Sequence, residues 1–177
     1  LNGNWNEWQR LEWKFRIPKG FQPTTKFCHL HQLKAQEGNN GAPLITISTR
    51  CDKDGGNKRV QVIHTGDTRT SGKGVIIDNL PLADFEDEWI QVETEMHYTH
   101  HGTFRIKLTR ISDGKVLADQ SFADVDLWRK GATSIRNKFG IYRSLGRKMQ
   151  SASDRPDNGL KDESLQLADF KVYEAHT

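Results

Sequence analysis

From Trp8 to Ile17 the chain alternates almost without fault. Gln9, Leu11, Trp13, Phe15 and Ile17 share one parity, and Trp8, Arg10, Glu12, Lys14 and Arg16 the other. Strand side chains point alternately to two faces, so this run predicts a strand with one buried side and one charged side. Such a strand belongs in an antiparallel sheet covered on one face only. The same period recurs from Pro43 to Arg50, where Ile45 and Ile47 alternate with Thr46, Ser48 and Arg50, and again from Arg59 to His64. From Trp89 to Tyr98, the residues Ile90, Val92, Met96 and Tyr98 are expected inward and Gln91, Glu93, Glu95 and His97 outward. Phe104, Ile106 and Leu108 mark a partner strand, and Asp113-Gly114 turns into Val116-Leu117-Ala118. No stretch holds a 3.6-residue period over three turns, and there is no internal repeat. A length of 177 residues suits one domain, residues 1–177, and is short for two. An apolar content of 34% with 15 glycines fits strands that each bury one face.

Two further segments concentrate polar chemistry. In Lys138-Phe139-Gly140-Ile141-Tyr142-Arg143, alternation puts Lys138, Gly140 and Tyr142 on one face and Phe139 and Ile141 toward a core. An ammonium beside a phenol, with a glycine leaving space between them, suits an anionic ligand and a proton transfer; an ordinary half-buried strand with polar residues facing water is the plain alternative. Phe27 to Lys34 does not alternate cleanly. Phe27, His29, His31 and Leu33 share one parity and Cys28, Leu30, Gln32 and Lys34 the other. A bulge, which re-aims side chains, or a strand covered on both faces explains the mixture. Its two histidines at i and i+2 are of interest because imidazole exchanges a proton near neutral pH.

The ordered set Arg10-Leu11-Glu12, His29-Leu30-His31-Gln32-Leu33-Lys34 and Lys138-Phe139-Gly140-Ile141-Tyr142-Arg143 resembles the jelly-roll polysaccharide lyases of the alginate, glucuronan and heparin lyase I type. Those families line one concave sheet with an Arg-x-Glu strand, a strand bearing Gln or His at alternate positions, and a late Lys-x-Gly-x-Tyr strand. The resemblance implies an all-β fold: a concanavalin A-like jelly-roll β-sandwich of two antiparallel sheets with a concave substrate groove. There are departures. Arg136 stands where alginate lyases place a tyrosine two residues before the lysine, and the middle motif fits in two registers, His29-x-His31 or Gln32-x-Lys34. The chain also opens directly on the Arg-x-Glu strand, where family members usually carry further strands, so part of the groove is expected to be missing.

The activity implied is β-elimination on a uronic-acid polysaccharide. The proton at C5 is very weakly acidic until the adjacent carboxylate is neutralised, a task for Arg10, Gln32 or Lys138. His31 or His29 would be the general base, and Tyr142 would protonate the leaving glycosidic oxygen, or do both where proton and leaving group lie on the same side. Gln32, Lys34, Arg50, Glu12, Arg136 and Arg143 are the expected substrate-binding residues. The reaction requires no metal or organic cofactor. Rival functions are a carbohydrate-binding module with the groove but not the chemistry and, more weakly, a glycoside hydrolase.

The remaining signals bound this reading. A net charge of +3 permits an acidic polymer without demanding one. No helix-turn-helix, zinc-finger or RNA-recognition signature is present, so nucleic acid is not expected as the partner. Asp52-Lys53-Asp54-Gly55-Gly56-Asn57 lacks EF-hand spacing and the closing glutamate, so it reads as a turn, and structural calcium has no support in the sequence. Asp84, Glu86, Asp87 and Glu88 run nearly consecutively, unlike glucanase carboxylates held about 5 Å apart on a strand, and read as a loop. Cys28 and Cys51 make one disulfide if their strands are neighbours, or stay as two buried thiols. Gln150 to Asp162, polar and interrupted by Pro156 and Gly159, reads as a flap over one end of the groove. With no signal peptide, lipidation site or transmembrane run, the expectation is a secreted or periplasmic mature domain, monomeric and away from membranes.

Overall fold

The computed structural model describes residues 2–145 and 160–176. The described strands are β1 (Asn2–Gly3), β2 (Glu7–Arg16), β3 (Cys28–Gln36), β4 (Ile45–Arg50), β5 (Arg59–His64), β6 (Gly74–Pro81), β7 (Ile90–His97), β8 (Gly102–Arg110), β9 (Val116–Val125), β10 (Ser134–Arg143) and β11 (Gln166–His176). They form two antiparallel sheets, one ordered β1-β10-β3-β4-β5-β6 and the other β11-β2-β7-β8-β9. The all-β jelly-roll sandwich implied by the resemblance, built from the one-face-buried strands that the alternation predicts, is the observed architecture.

The alternation of β2 explains how the sheets hold together. Leu11, Trp13 and Phe15 are buried while Arg10 and Lys14 stay at the surface. Trp13 reaches across to the facing sheet, its ring centroid 5.3 Å from His31 and 5.0 Å from Phe139. Ile141 packs more peripherally against the same core. Full burial of a large apolar side chain stabilises by roughly 1.5–3 kcal/mol, so a core containing Trp13, Phe15, Phe21, Phe85 and Phe104 outweighs any single surface contact. Gly3 is required by close approach, because a Cβ there would lie 2.0 Å from the Tyr98 ring.

Several sequence readings resolve here. Cys28 and Cys51 are both buried and free, with burial raising both thiol pKa values. Asp52 turns within its loop, accepting from Arg59 at 2.8 Å and Asn57 at 3.2 Å. The Asp84–Glu88 acids lie before β7 as expected, with Asp84 paired to Arg110 at 3.1 Å. Most of the segment read as a flap lies outside the described residues.

Candidate functional site

The site is built by an irregularity shared between β3, β4 and β10. His31 pairs with Ile47 and His29 with Ser48, so β3 carries one extra residue, Leu30, relative to β4. At the same level β10 pairs Phe139 with His31 and then Tyr142 with His29, leaving Gly140 and Ile141 opposite Leu30. Gly140 has φ +126°, a conformation that other residues rarely adopt. Leu30 and His31 both turn inward, and the parity of β3 changes as a bulge predicts. His29, Gln32 and Lys34 are thereby left on the outer side of the six-stranded sheet.

This placement combines the two registers left open by the sequence. Tyr142, His29, Ser48 and Gln61 follow one another across β10, β3, β4 and β5. Lys138, Gln32 and Thr46 form the neighbouring row, and Arg136 stands opposite Lys34. Gln32, Lys34, Lys138 and Tyr142 line a depression of about 320 Å³ floored by Phe139, Gly140 and Ile141. The His29 and Tyr142 rings are 6.1 Å apart, and both pack on Phe27 at 5.1 Å. Tyr142 is 57% exposed.

Two corrections follow. His31, a candidate base, is 2% exposed and packs between Trp13 and Phe139 at 5.3 and 4.8 Å. Its Nε2 meets the Asn137 side-chain oxygen at 3.0 Å, and Asn137 donates on to Gln9, which also accepts from Tyr98. It is a core histidine. Arg10 and Glu12, expected to line the groove, belong to β2 in the other sheet. There Arg10 pairs with Glu12 at 2.7 Å and Glu93 at 3.3 Å, and lies over the Tyr173 ring at 5.9 Å. Alternation fixes which residues share a face of one strand but not which sheet receives the strand. Arg143 is tied elsewhere, its guanidinium donating to the Lys161 carbonyl.

Around the depression the electrostatics are one-sided, the carboxylate of Asp78 lying farther along the sheet with Gln61 and Arg59. Among the described residues no carboxylate pairs with Lys34, Lys138 or Arg136. The Lys34 pKa is lowered by burial and then by Lys138 and Arg136. That of Arg50 is lowered by burial and by Arg59, with Asp78 opposing. His29 is pushed down to about 4 by burial, then by Arg50 and Lys34. A neutral imidazole that accepts protons thus sits beside an exposed phenol among unneutralised cations, an arrangement suited to an anionic ligand and acid–base chemistry. Among the described residues no group of His, Cys, Asp and Glu side chains has the form of a metal site. Sequence reasoning did not assign Phe27, Ser48, Thr46 and Gln61 to the site. The signal available was the polar parity of β4.

No family model and no curated protein matches the sequence. Solved structures do match. An alginate lyase from Pseudomonas aeruginosa is 17% identical, with TM-score 0.53 over 99% of this chain and 68% of its own. A family 7 alginate lyase, crystallised in complex with substrate after His-to-Asn and Tyr-to-Phe replacements, is 9% identical, with TM-score 0.59 over 100% of this chain and 65% of its own. The receptor-binding domain of a botulinum neurotoxin mosaic serotype is 17% identical, with TM-score 0.50 over 94% of this chain and 33% of its own. The chain therefore spans about two thirds of the length of these lyases. Identities this low speak to architecture alone, and the architecture is the jelly-roll β-sandwich of the alginate lyases.

Proposed function

We propose that the outer face of the six-stranded sheet binds an acidic polysaccharide and cleaves it by β-elimination. The observation that carries this reading is the pair of His29 and Tyr142, 6.1 Å apart, among the cations Lys34, Lys138, Arg136 and Arg50. Gln32 and Lys138 line the same depression and bind the uronate carboxylate, stabilising charge that builds as the neighbouring proton leaves. His29 takes the C5 proton, the released electron pair forms the C4–C5 double bond, and the C4–oxygen bond breaks. Tyr142 gives its proton to the leaving glycosidic oxygen. Every step uses side chains, and none calls for a metal or organic cofactor. Alginate lyases among the structural neighbours, one of them in complex with its substrate, support a uronate polymer as the ligand class. Alginate, glucuronan and heparin-like chains all belong to that class. Such a polymer is met outside the cytoplasm, which favours a secreted or periplasmic setting, and the site as drawn needs only one copy of the chain. No described helix is long and apolar enough to cross a membrane.

The likeness to a receptor-binding domain favours a second reading, a non-catalytic binding module. His29→Asn and Tyr142→Phe separate the two. If the protein is a lyase, each loses roughly a hundredfold to ten-thousandfold in turnover while polymer binding persists. Turnover unchanged in both variants removes His29 and Tyr142 from the chemistry.

A further inference from the structure

A neutral imidazole carries its ring hydrogen on one of two nitrogens, and only the other nitrogen can take a proton. His29 Nδ1 lies 2.6 Å from Ser48 Oγ. Ser48 Oγ in turn donates to Thr46 Oγ1 at 3.0 Å. A hydroxyl has one hydrogen. With that hydrogen given to Thr46, Ser48 meets His29 only as an acceptor, so Nδ1 bears the proton and Nε2 the lone pair. Both hydroxyl-bearing residues are shielded, Ser48 at 0% and Thr46 at 3% exposure, which limits competition from water for these bonds. Their positions follow from the register, with Ser48 opposite His29 and Thr46 opposite Gln32.

His31, two residues along, supplies an internal contrast. Asn137 uses its amide nitrogen to donate to Gln9, so its oxygen is the group facing His31 Nε2. That fixes the hydrogen of His31 on Nε2 and leaves Nδ1 buried without a partner. The bulge therefore separates two histidines of opposite tautomer.

We propose that Thr46 and Ser48 are positioning residues that hold His29 as the Nδ1–H tautomer, with Nε2 left as its proton-accepting nitrogen. The consequence for catalysis rests on the proposed lyase reading, whereas the tautomer does not. The test is imidazole nitrogen NMR of the full chain at neutral pH, read beside turnover. Wild type should show His29 as Nδ1–H and His31 as Nε2–H. Thr46→Val keeps the side-chain shape but removes the acceptor, so the Ser48 hydroxyl turns to donate to Nδ1 and the His29 hydrogen moves to Nε2. Turnover should then fall roughly a hundredfold or more with KM little changed, and Thr46→Ser should restore both. A wild-type His29 protonated on Nε2 overturns the proposal before any variant is made, and so does a Thr46→Val protein that keeps Nδ1–H. A moved hydrogen with unaltered turnover upholds the tautomer control and instead removes His29 as the base.

Discussion

Burial of His31 has a measurable pH signature. Enclosure against Trp13 and Phe139 pushes its pKa from 6.5 to about 4, burial being the main cause and the Asn137 hydrogen bond opposing it. The unfolded chain takes up this proton near 6.5 and the folded chain only near 4. Between those values the unfolded state binds more protons, so stability rises with pH there. It is fully present above 6.5 and is lost as the pH falls toward 4. At about 1.4 kcal/mol per pH unit, the loss across that window is about 3 kcal/mol. His31→Gln keeps a donor for Asn137 but cannot take the proton. Urea unfolding at stepped pH should therefore show wild type losing about 3 kcal/mol more than the variant between neutral pH and pH 4. The shift in His29 is common to both proteins and cancels in the difference. Asp113, held down to about 2 chiefly by its hydrogen bond to Arg110, loses its contribution only as pH falls below 3.8, outside the window. Equal pH dependence in the two proteins would refute the enclosure of His31. Loss of turnover in a folded His31→Gln protein would restore His31 as the base.

Other outcomes follow from the same geometry. Turnover of the wild type should fall as pH drops through about 4, where His29 becomes protonated. Arg50→Gln removes one of the charges that lower the His29 pKa, so that acid limb should move to higher pH; an unmoved limb would assign the whole shift to burial and Lys34. Gly140→Ala meets open space but forces a side chain onto φ +126°, at a cost of about 1–3 kcal/mol, read as a lower Tm. An unchanged Tm would show that the β10 irregularity relaxes freely.

The readable part of the fold was wherever alternation ran unbroken. β2, β5, β7 and the end of β10 follow their hydrophobic period within a residue or so. β6 and β11 escaped notice because their period is interrupted. β11 has a register shift between Ala168 and Lys171 with Asp169 at φ 54°, and β6 has shifted pairing with Asn79 at φ 60°. The irregular β3 was legible as an irregularity, but the direction each histidine takes depends on where Leu30 bulges against β4, a long-range pairing that local pattern does not carry. The same limit misplaced Arg10. Its charged face was read correctly, yet β2 pairs with β7 and β11 rather than with β3 or β10. Tyr142 and Lys138 were legible because both stand exposed on β10, one on either side of the irregularity at Gly140 and Ile141.

The most direct test of the central claim is ultraviolet absorbance of the unsaturated uronate, followed with new reducing ends, while the wild-type protein acts on alginate, glucuronan, heparin and a neutral glucan. β-Elimination at the His29–Tyr142 site predicts that both signals rise together on at least one uronate polymer and that neither rises on the neutral glucan. Reducing ends without absorbance would mean hydrolysis, and polymer binding without either signal would make the outer face of the six-stranded sheet a binding surface only.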